Sequence, residues 1–599
     1  MSNEIKIKSK VGQLSDISRY IKPGSFVAIG GGWSCNKPMA IVREIIRQRI
    51  SGLTVTSITG GWEMEWLLGA GLVDHLMMSF LSLEFFGLPP NFRNAAEKKT
   101  IRITEIEGCS LIKALEASKL GLPFAPFPGP KGSDIVREAP ELYKTVTCPF
   151  TGQELTAIQA IVPDVAIIHA HKADEAGNVQ MFGTSASDMD MAMAAKSVIV
   201  TVEEVVSADA IRADKTATKL FRPDVDLVIH CPMGASPCSS VPYYAAHLLQ
   251  MQNDLAGLQP KSAKEYIAGV IGANEDEYWA NVGGEQAKAK LRAFPSRTRA
   301  IELPRALDAA PATQYSVGDQ MVSALAATID DEDTIILGSF TPLAYAAYNL
   351  AKLTTAPNAF VVGYSGVDAR PFQMGFHTSE AACTRESAGL WSMTECIEAL
   401  HFRGTGDVEA VSSAQMDANG DINISWLPMP LKDADGKPTG EWNRRALRLP
   451  GGAGAPVVFG LHRKSVAYFP SHTRMVFVPK VNYVTGTRMY RTDEERRARG
   501  LQPGPIIVVT NLCVMQTTER GVWHVVSLHR GVSVQDVIDN TGFEVQIPAD
   551  CPQTRVPTQQ EVDLIRQIDP TGIHLLDFVS GKERASKLPA ILQAEWDGV

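Results

Sequence analysis

The sequence predicts an α/β fold in which parallel strands alternate with helices. Two apolar runs, VAIIHAH at 165–171 and SVIVTV at 197–202, lack a polar face, as expected for strands that helices cover on both sides. Segments with helical spacing separate such runs along the chain. The order helix, strand, glycine turn, helix then starts again after residue 315. This alternation favours βαβ units over an all-β sandwich.

The first βαβ unit is expected near the N-terminus. SFVAI at 25–29 is typical of a buried strand, and LTVTSIT at 53–59 is the next β-rich run. Between them a helix is expected from Pro38 onward. Gly30, Gly31 and Gly32 join strand to helix, and their consecutive N–H groups at a positive helix end would suit a phosphate or an oxyanion. A tight βα turn without a ligand explains the same glycines equally well.

A carboxylate is predicted at the end of a later strand. Ile101 and Ile103 alternate with polar residues as in a half-buried strand, which breaks before a helix that ends near Gly121. Glu105 and Glu107 lie in the break, where open α/β sheets place ligands. Solvated charges at a turn are the alternative interpretation.

Two units are predicted, covering residues 1–304 and 316–599, with an Ala- and Pro-rich linker at 305–315. The second unit contains another buried strand with a glycine turn, FVVGYSGVD at 360–368. The phrases ADEAGN at 173–178 and MDANGD at 416–421 share a turn composition. Their corresponding positions suggest two related units fused in one chain.

Composition excludes several classes of function. The net charge of −9 argues against a nucleic-acid or membrane-surface binder, because both need a basic footprint. The N-terminus has no apolar signal core and no run is long enough to span a membrane, so a cytoplasmic protein is expected. The nine cysteines lack disulfide-framework or zinc-site spacing, and His169 and His171 have no third ligand nearby. No metal site is therefore predicted.

Several phrases together resemble the class I coenzyme A transferases, closest to the glutaconate CoA-transferase branch. The first half is similar to that branch's α chain and the second half to its β chain. The α-like phrases are GGGWSCNKPMA at 30–40, PNFR at 90–93, TEIEG at 104–108 and PDVAIIHAHKADEAGN at 163–178. The β-like phrases are AQMDANGDINIS at 414–425, LPGGAGA at 449–455 and SLHRGVSVQDVIDNTGFE at 527–544. The resemblance implies two Rossmann-like open α/β units of the NagB/RpiA type, with a CoA thioester bound at their interface.

One departure from that family concerns its nucleophile. In these transferases a β-type glutamate after a buried strand carries the covalent CoA thioester, and the matching position here is Tyr364, followed by Ser365 and Gly366. A tyrosine cannot form a glutamyl-CoA intermediate. A sister group, the two-chain hydrolases that open the last carbocycle of a steroid-derived CoA thioester (COCHEA-CoA), also lacks that glutamate. Its working carboxylate matches Glu105 here, with Glu107 as the register alternative.

The resemblance therefore implies a hydrolase that opens a cyclic β-keto CoA thioester by retro-Claisen cleavage, with Glu105 as general base on water. Gly30 to Gly32, with Gly451 and Gly452 of LPGGAGA, are candidates for oxyanion or CoA binding. Arg93 and Lys131 are candidate cationic contacts, and solvated surface charges are the alternative for Lys131. Coenzyme A is expected as part of the substrate, with no permanently bound cofactor and a homodimer or tetramer as the assembly. CoA transfer to a carboxylate is the second interpretation, and an inactive acyl-CoA sensor the third.

Overall fold

A computed structural model describes residues 8–293, 300–338, 341–363, 365–376, 378–433, 437–489 and 492–597. No helix among them combines the length and apolar character that crossing a bilayer requires. The strands of the first half are β1 (Val11–Gly12), β2 (Phe26–Ile29), β3 (Leu53–Ser57), β4 (Val73–Met78), β5 (Arg102–Glu105), β6 (Phe124–Phe127), β7 (Tyr143–Thr147), β8 (Glu154–Gln159), β9 (Val165–Asp174), β10 (Val179–Gln180), β11 (Ser197–Val206), β12 (Thr218–Leu220) and β13 (Leu227–His230). Its helices are α1 (Met39–Arg47), α2 (Trp62–Ala70), α3 (Pro90–Lys98), α4 (Gly108–Lys119), α5 (Asp134–Glu138), α6 (Asp188–Ala194), α7 (Ala208–Ala213), α8 (Leu248–Gly257), α9 (Ala263–Ile271), α10 (Glu275–Asn281) and α11 (Gly284–Ala293).

The second half repeats this alternation. Its strands are β14 (Thr334–Ile336), β15 (Phe360–Gly363), β16 (Gly366–Val367), β17 (Gly389–Leu390), β18 (Val408–Ser412), β19 (Gln415–Asp417), β20 (Ile422–Asn423), β21 (Trp426–Lys432), β22 (Pro438–Arg448), β23 (Lys464–Phe469), β24 (Phe477–Val478), β25 (Ile506–Thr510), β26 (Cys513–Glu519) and β27 (Val522–Leu528). Its helices are α12 (Val317–Ala326), α13 (Pro342–Leu353), α14 (Thr378–Arg385), α15 (Met393–Cys396), α16 (Ala455–Leu461), α17 (Asp493–Arg497), α18 (Val534–Asn540), α19 (Gln559–Ile568) and α20 (Gly581–Asp597). A π-helical turn at Ile397–Phe402 extends α15.

Each half contains one large sheet. The first sheet has the order β1-β13-β11-β9-β2-β3-β4-β5, and every neighbouring pair along this path is parallel. The apolar runs β9 and β11 lie side by side inside it, which explains why they have no polar face. β5 is the edge strand, and its last residue, Glu105, pairs with Met78 of β4.

The second sheet has the order β17-β16-β15-β14-β18-β23-β25-β26-β27. Its centre, from β15 to β25, is parallel, whereas both ends are extended by antiparallel strands. β18 occupies the middle of this sheet between β14 and β23. The α/β fold predicted from the sequence is confirmed, and the two sheets draw on residues 11–230 and 334–528.

The two halves also share cores. Val457 and Leu461 of α16 are buried in one cluster with Ile112 of α4. The C-terminal helix α20 returns to the first half, where Leu588 and Leu592 pack in the cluster that contains Met251 of α8. Side chains from distant parts of the chain therefore meet between the two sheets. The boundary at 305–315 stays a prediction.

Candidate active site

A cavity of about 360 Å³ lies between the two halves. Its wall is mainly apolar, and both halves contribute to it. The apolar contributors include Trp33, Ile58, Ile336, Val362, Ile424 and Val458. Among the described residues that line it, Glu409 is the only carboxylate. Such a cavity suits an apolar ligand that a few polar groups orient.

Glu105 joins the two halves next to this cavity, and although it does not line the cavity itself, it contacts the lining residues Gly451 and Gly452. Its Oε2 accepts a hydrogen bond from Arg448 Nη1 at 2.7 Å, and its Oε1 accepts one from Ser425 Oγ at 2.8 Å. The N–H of Gly452, a cavity residue, is 3.3 Å from the same Oε1. The side chains of Glu105 and Arg448 are 9% and 1% exposed. This predicted residue is thus an oriented, nearly buried carboxylate with a cationic partner from the other half.

The loop after β22 is shaped to reach Glu105. Gly451 has a φ of +105°, and a Cβ there would lie 2.9 Å from Ser79 O and 3.2 Å from Glu105 Oε1. Glycine is needed at this position for both reasons. Nearby in the same loop, Ala453 accepts a hydrogen bond from Gly108 N and donates one to Ser79 O. Gly451 and Gly452 are therefore brought to Glu105, and their predicted role in oxyanion or CoA binding stays a prediction.

Glu107 has a different environment. It is the N-cap of α4, and its carboxylate accepts hydrogen bonds from Cys109 N at 3.0 Å and from Ser110 N and Oγ, both at 2.7 Å. Burial raises its pKa, against the effect of these bonds. These contacts assign it to capping the helix, a role that a carboxylate just before a helix serves well. Neither register alternative lines the cavity itself: Glu105 accepts a hydrogen bond from Gly452 of its wall, and Glu107 accepts one from Cys109.

Sequence reasoning missed Glu409, which lies on β18. Its Oε2 is buried without a hydrogen-bond partner among the described residues, and burial raises its pKa to about 8. A signal was present, because Glu409 interrupts the apolar run VEAVS at 408–412. The residue opposite it in the register is Ser465 of β23.

Two histidines lie behind Glu409. His401 Nδ1 and His462 Nε2 are 2.7 Å apart, and the rings stack at 4.8 Å with an angle of 7°. His401 Nε2 is 3.9 Å from Glu409 Oε2. Burial lowers the pKa of His401 to about 4 and lowers that of His462 well below its ordinary value, so both rings are neutral near pH 7. Ligand atoms of Glu409, His401 and His462 all lie within 4.8 Å of one another, which is close enough to bind one metal ion. The sequence predicted no metal site.

The Gly30–Gly32 turn does not line the cavity, and its N–H groups are already used. Gly30 N donates to Ile167 O at 2.9 Å, and Gly32 N donates to Cys35 O at 3.1 Å. Gly31 N donates to the buried carboxylate of Asp188 at 2.7 Å. In this conformation the turn is the tight βα connection that the alternative interpretation described.

The remaining predicted residues fall into two groups. Ser365 lines the cavity and exchanges hydrogen bonds of 3.1 Å with the backbone of Ser185, while Gly366 follows in β16 and Tyr364 lies outside the described residues. Arg93 and Lys131 do not line the cavity. Their partners are Glu97 at 3.0 Å and Glu154 at 2.7 Å.

Comparison with known proteins identifies the family. The family model "Coenzyme A transferase" matches residues 14–225. One of the two subunits of the 3-oxoadipate CoA-transferase of Pseudomonas knackmussii is 35% identical over 231 residues, which are 38% of this chain and 80% of that polypeptide. A glutaconate CoA-transferase polypeptide of Acidaminococcus fermentans is 30% identical over 297 residues, 46% of this chain and 92% of its own length. The chain belongs to the coenzyme A transferase family.

Other members of the family match as well. The "Cholesterol ring-cleaving hydrolase IpdA subunit" of Rhodococcus jostii is 29% identical over 281 residues, 45% of this chain and 94% of that polypeptide. An uncharacterized protein of Archaeoglobus fulgidus is 36% identical over 281 residues, and the match spans only 62% of its length. The crystal structure of an acyl-CoA transferase (YdiF) from Escherichia coli O157:H7 aligns with 92% of this chain and 96% of its own, with a TM-score of 0.63 and 14% identity. That structure shows the fold over nearly the whole chain, and the resemblance noted in the sequence is confirmed.

Proposed function

We propose that this coenzyme A transferase family member is a hydrolase that opens a cyclic β-keto CoA thioester, with Glu105 as general base. The observation that carries the proposal is the Glu105–Arg448 ion pair, which contacts Gly452 in the wall of an apolar cavity. A relative named as a cholesterol ring-cleaving hydrolase subunit supports the same assignment. The tyrosine at position 364, where transferases of this class carry glutamate, also favours water as the attacking group.

In the proposed mechanism the ring of the substrate occupies the apolar cavity. Glu105 takes a proton from water as the water oxygen attacks the ring ketone. The bond between the ketone carbon and the α carbon of the thioester then breaks, and the electron pair is held as a thioester enolate. Arg448 and Ser425 keep the carboxylate in one orientation, which is what a general base needs.

The CoA portion would extend out of the cavity. Arg93 and Lys131 remain proposed contacts for its phosphates, each exchanging its present carboxylate partner for the ligand. Gly31 and Gly32 would bind an oxyanion only after releasing their present acceptors. Gly452 lines the cavity, but its N–H would likewise have to release its present acceptor, Glu105 Oε1 at 3.3 Å. A homo-oligomer remains part of the proposal.

A second candidate is transfer of CoA to a carboxylate. It is favoured by one observation, the buried carboxylate of Glu409 in the cavity wall, which could serve as a nucleophile in place of residue 364. The relatives named as 3-oxoadipate and glutaconate CoA-transferases support this alternative.

The test compares the wild type with Glu105→Gln and with the control Glu141→Gln, an exposed carboxylate in the same half. Each protein is incubated with 2-oxocyclohexanecarboxyl-CoA, with and without added acetate or glutarate, and products are followed by mass spectrometry. A product one water heavier that keeps its CoA, formed by the wild type and the control but not by Glu105→Gln, supports the hydrolase. CoA on the added carboxylate supports the transferase instead. Tight CoA binding with no product from a wider panel of thioesters would leave the inactive sensor.

A further inference from the structure

The position of Glu409 is the unexplained feature of the cavity. It reaches the wall from β18, which is separated from β15 by β14 alone. Gly338, just after β14, leaves room for the carboxylate, because a Cβ there would lie 2.7 Å from Glu409 Oε1. The carboxylate therefore enters the same space as Gly363 and Ser365, which flank residue 364.

Glu409 lacks the contacts that buried structural carboxylates make. Glu107 caps a helix, and Glu65 accepts hydrogen bonds from the backbone of Asn91 and Phe92. Glu409 Oε2 has no such partner among the described residues. A buried polar group without a partner lowers stability, so its presence at a cavity wall points to a role with a ligand.

The groups that face Glu409 carry no compensating charge. They are the imidazole of His401, the thiols of Cys109 on α4 and Cys396 on α15, and the phenol of Tyr348 on α13. Burial raises the pKa of both thiols and of the phenol, so all of these groups are neutral near pH 7. Because no cation in the described part of the chain favours the ionised form, burial raises the pKa of Glu409 to about 8.

We propose that Glu409 is a second catalytic residue, which protonates the α carbon of the thioester enolate, and that His401 and His462 are its positioning residues. This inference rests on the proposed hydrolase. The two carboxylates have opposite surroundings, since Glu105 is paired with Arg448 while no cation among the described residues is paired with Glu409. Environments of this kind separate a general base from a general acid.

The protons balance over one turnover. Glu105 receives a proton from water, and the hydroxide oxygen bonds to the ketone carbon. When the carbon–carbon bond breaks, the electron pair passes to the α carbon, and the O–H of Glu409 gives its proton to that carbon. After the product leaves, Glu409 regains a proton from solvent and Glu105 releases its own, so the net reaction consumes one water.

The histidine pair faces one oxygen of Glu409, Oε2. If His401 Nδ1–H donates to His462 Nε2, then His401 Nε2 is an acceptor facing Glu409 Oε2 at 3.9 Å. If the donor and acceptor of the 2.7 Å bond exchange, His401 Nε2–H faces the carboxylate as a donor instead. The tautomers of the pair can thus follow the protonation of Glu409.

The experiment measures proton transfer to carbon apart from ring opening. The probe is heptanedioyl-CoA, the linear product of opening 2-oxocyclohexanecarboxyl-CoA, incubated with the enzyme in deuterium oxide. We expect the wild type and Glu141→Gln to incorporate deuterium next to the thioester, and Glu409→Gln to do so at least a hundred-fold more slowly. The wild-type exchange should rise with pH and level off above about pH 8, because removal of the α proton requires the ionised form of Glu409. Retained folding of Glu409→Gln is checked by its melting temperature.

The failure of either proposal can be recognised separately. Ring opening by Glu105→Gln would contradict the proposed hydrolase mechanism. Deuterium exchange by Glu409→Gln, or its absence in the wild type, would overturn the role of Glu409. His462→Ala should shift the pH at which the rate of deuterium exchange changes, with little change in KM. His524→Ala, at an exposed histidine, should leave that pH unchanged. Conversion of the Glu409 side chain to an alcohol by borohydride, with release of CoA, would reveal a glutamyl-CoA thioester and overturn the inference in favour of transfer. One Zn²⁺ ion bound per wild-type chain, and none bound by Glu409→Gln, would also overturn the role of Glu409, because a metal-bound carboxylate cannot carry the proton.

Discussion

Glu409 lines the cavity and Glu105 contacts Gly452 in its wall; the two carboxylates come from different halves of the chain and differ in hydrogen bonding and in neighbouring charge. Glu105 accepts hydrogen bonds from Arg448 and Ser425, across the boundary between the halves. Glu409 is surrounded by neutral groups, and its Oε2 has no partner among the described residues. The same side chain can therefore serve as proton acceptor at one wall and as donor at the other, because the environment and not the residue type decides.

The largest expected effect is the loss of ring-opening activity when Glu105 is replaced. Glu105→Gln should lower kcat for ring opening by about 10²–10⁴-fold, because the amide cannot accept the proton of water. KM should change little, since the apolar cavity remains intact. Steady-state kinetics with 2-oxocyclohexanecarboxyl-CoA measures both values, and a kcat within threefold of the wild type would remove Glu105 from the mechanism.

The next effect concerns Arg448, the cation that forms an ion pair with Glu105. Arg448→Met should lower the free energy of unfolding by about 3–5 kcal/mol, because it leaves a buried carboxylate without its partner. Glu105→Gln in the same chain should restore part of the loss. Urea denaturation measures this, with Arg137→Met as an exposed control. A loss no larger than that of the control would show that the ion pair is not buried in solution.

Glu409 should make stability depend on pH. Its pKa of about 8 in the folded protein lies above the ordinary value of 4.5, so the folded state binds the proton more tightly. This contribution is fully present below pH 4.5 and is lost as the pH rises through 8. The free energy of unfolding should therefore fall by a few kcal/mol between pH 5 and pH 9, and Glu409→Gln should flatten that slope. An equal slope in wild type and variant would contradict the burial of an unpaired carboxylate.

The smallest effect concerns the loop after β22, in which Gly451 lies against Glu105. Gly451→Ala should cost about 1–3 kcal/mol, because the alanine must adopt a positive φ and approach Ser79 O. Gly440→Ala is the matched control, since Gly440 also has a positive φ but open space around it. Thermal unfolding compares the two variants, and a larger loss in Gly440→Ala would show that the close approach is unimportant.

Local patterns in the sequence were sufficient for the class of fold. The fully apolar runs β9 and β11 predicted strands buried on both faces, and the break after Ile103 predicted a carboxylate at a strand end. Both features depend on neighbours along the chain, which is why periodicity reveals them. The capping role of Glu107 was also legible in principle, because the residue directly precedes the glycine at which α4 begins.

The composition of the site, in contrast, was decided by tertiary structure. Arg448 lies 343 positions from Glu105, and no local pattern indicates that the two are paired. His401 and His462 are 61 positions apart and meet only because a π-helical turn and the end of α16 pack together. Glu409 appears in the sequence as one acid within a strand, and its missing partner became evident only when its surroundings were known. By itself the sequence determined the alternation of strands and helices and the position of Glu105, since these follow from spacing. Which charges are neutralised and which are left unpaired depends on distances across the cavity, and those exist only in the folded chain.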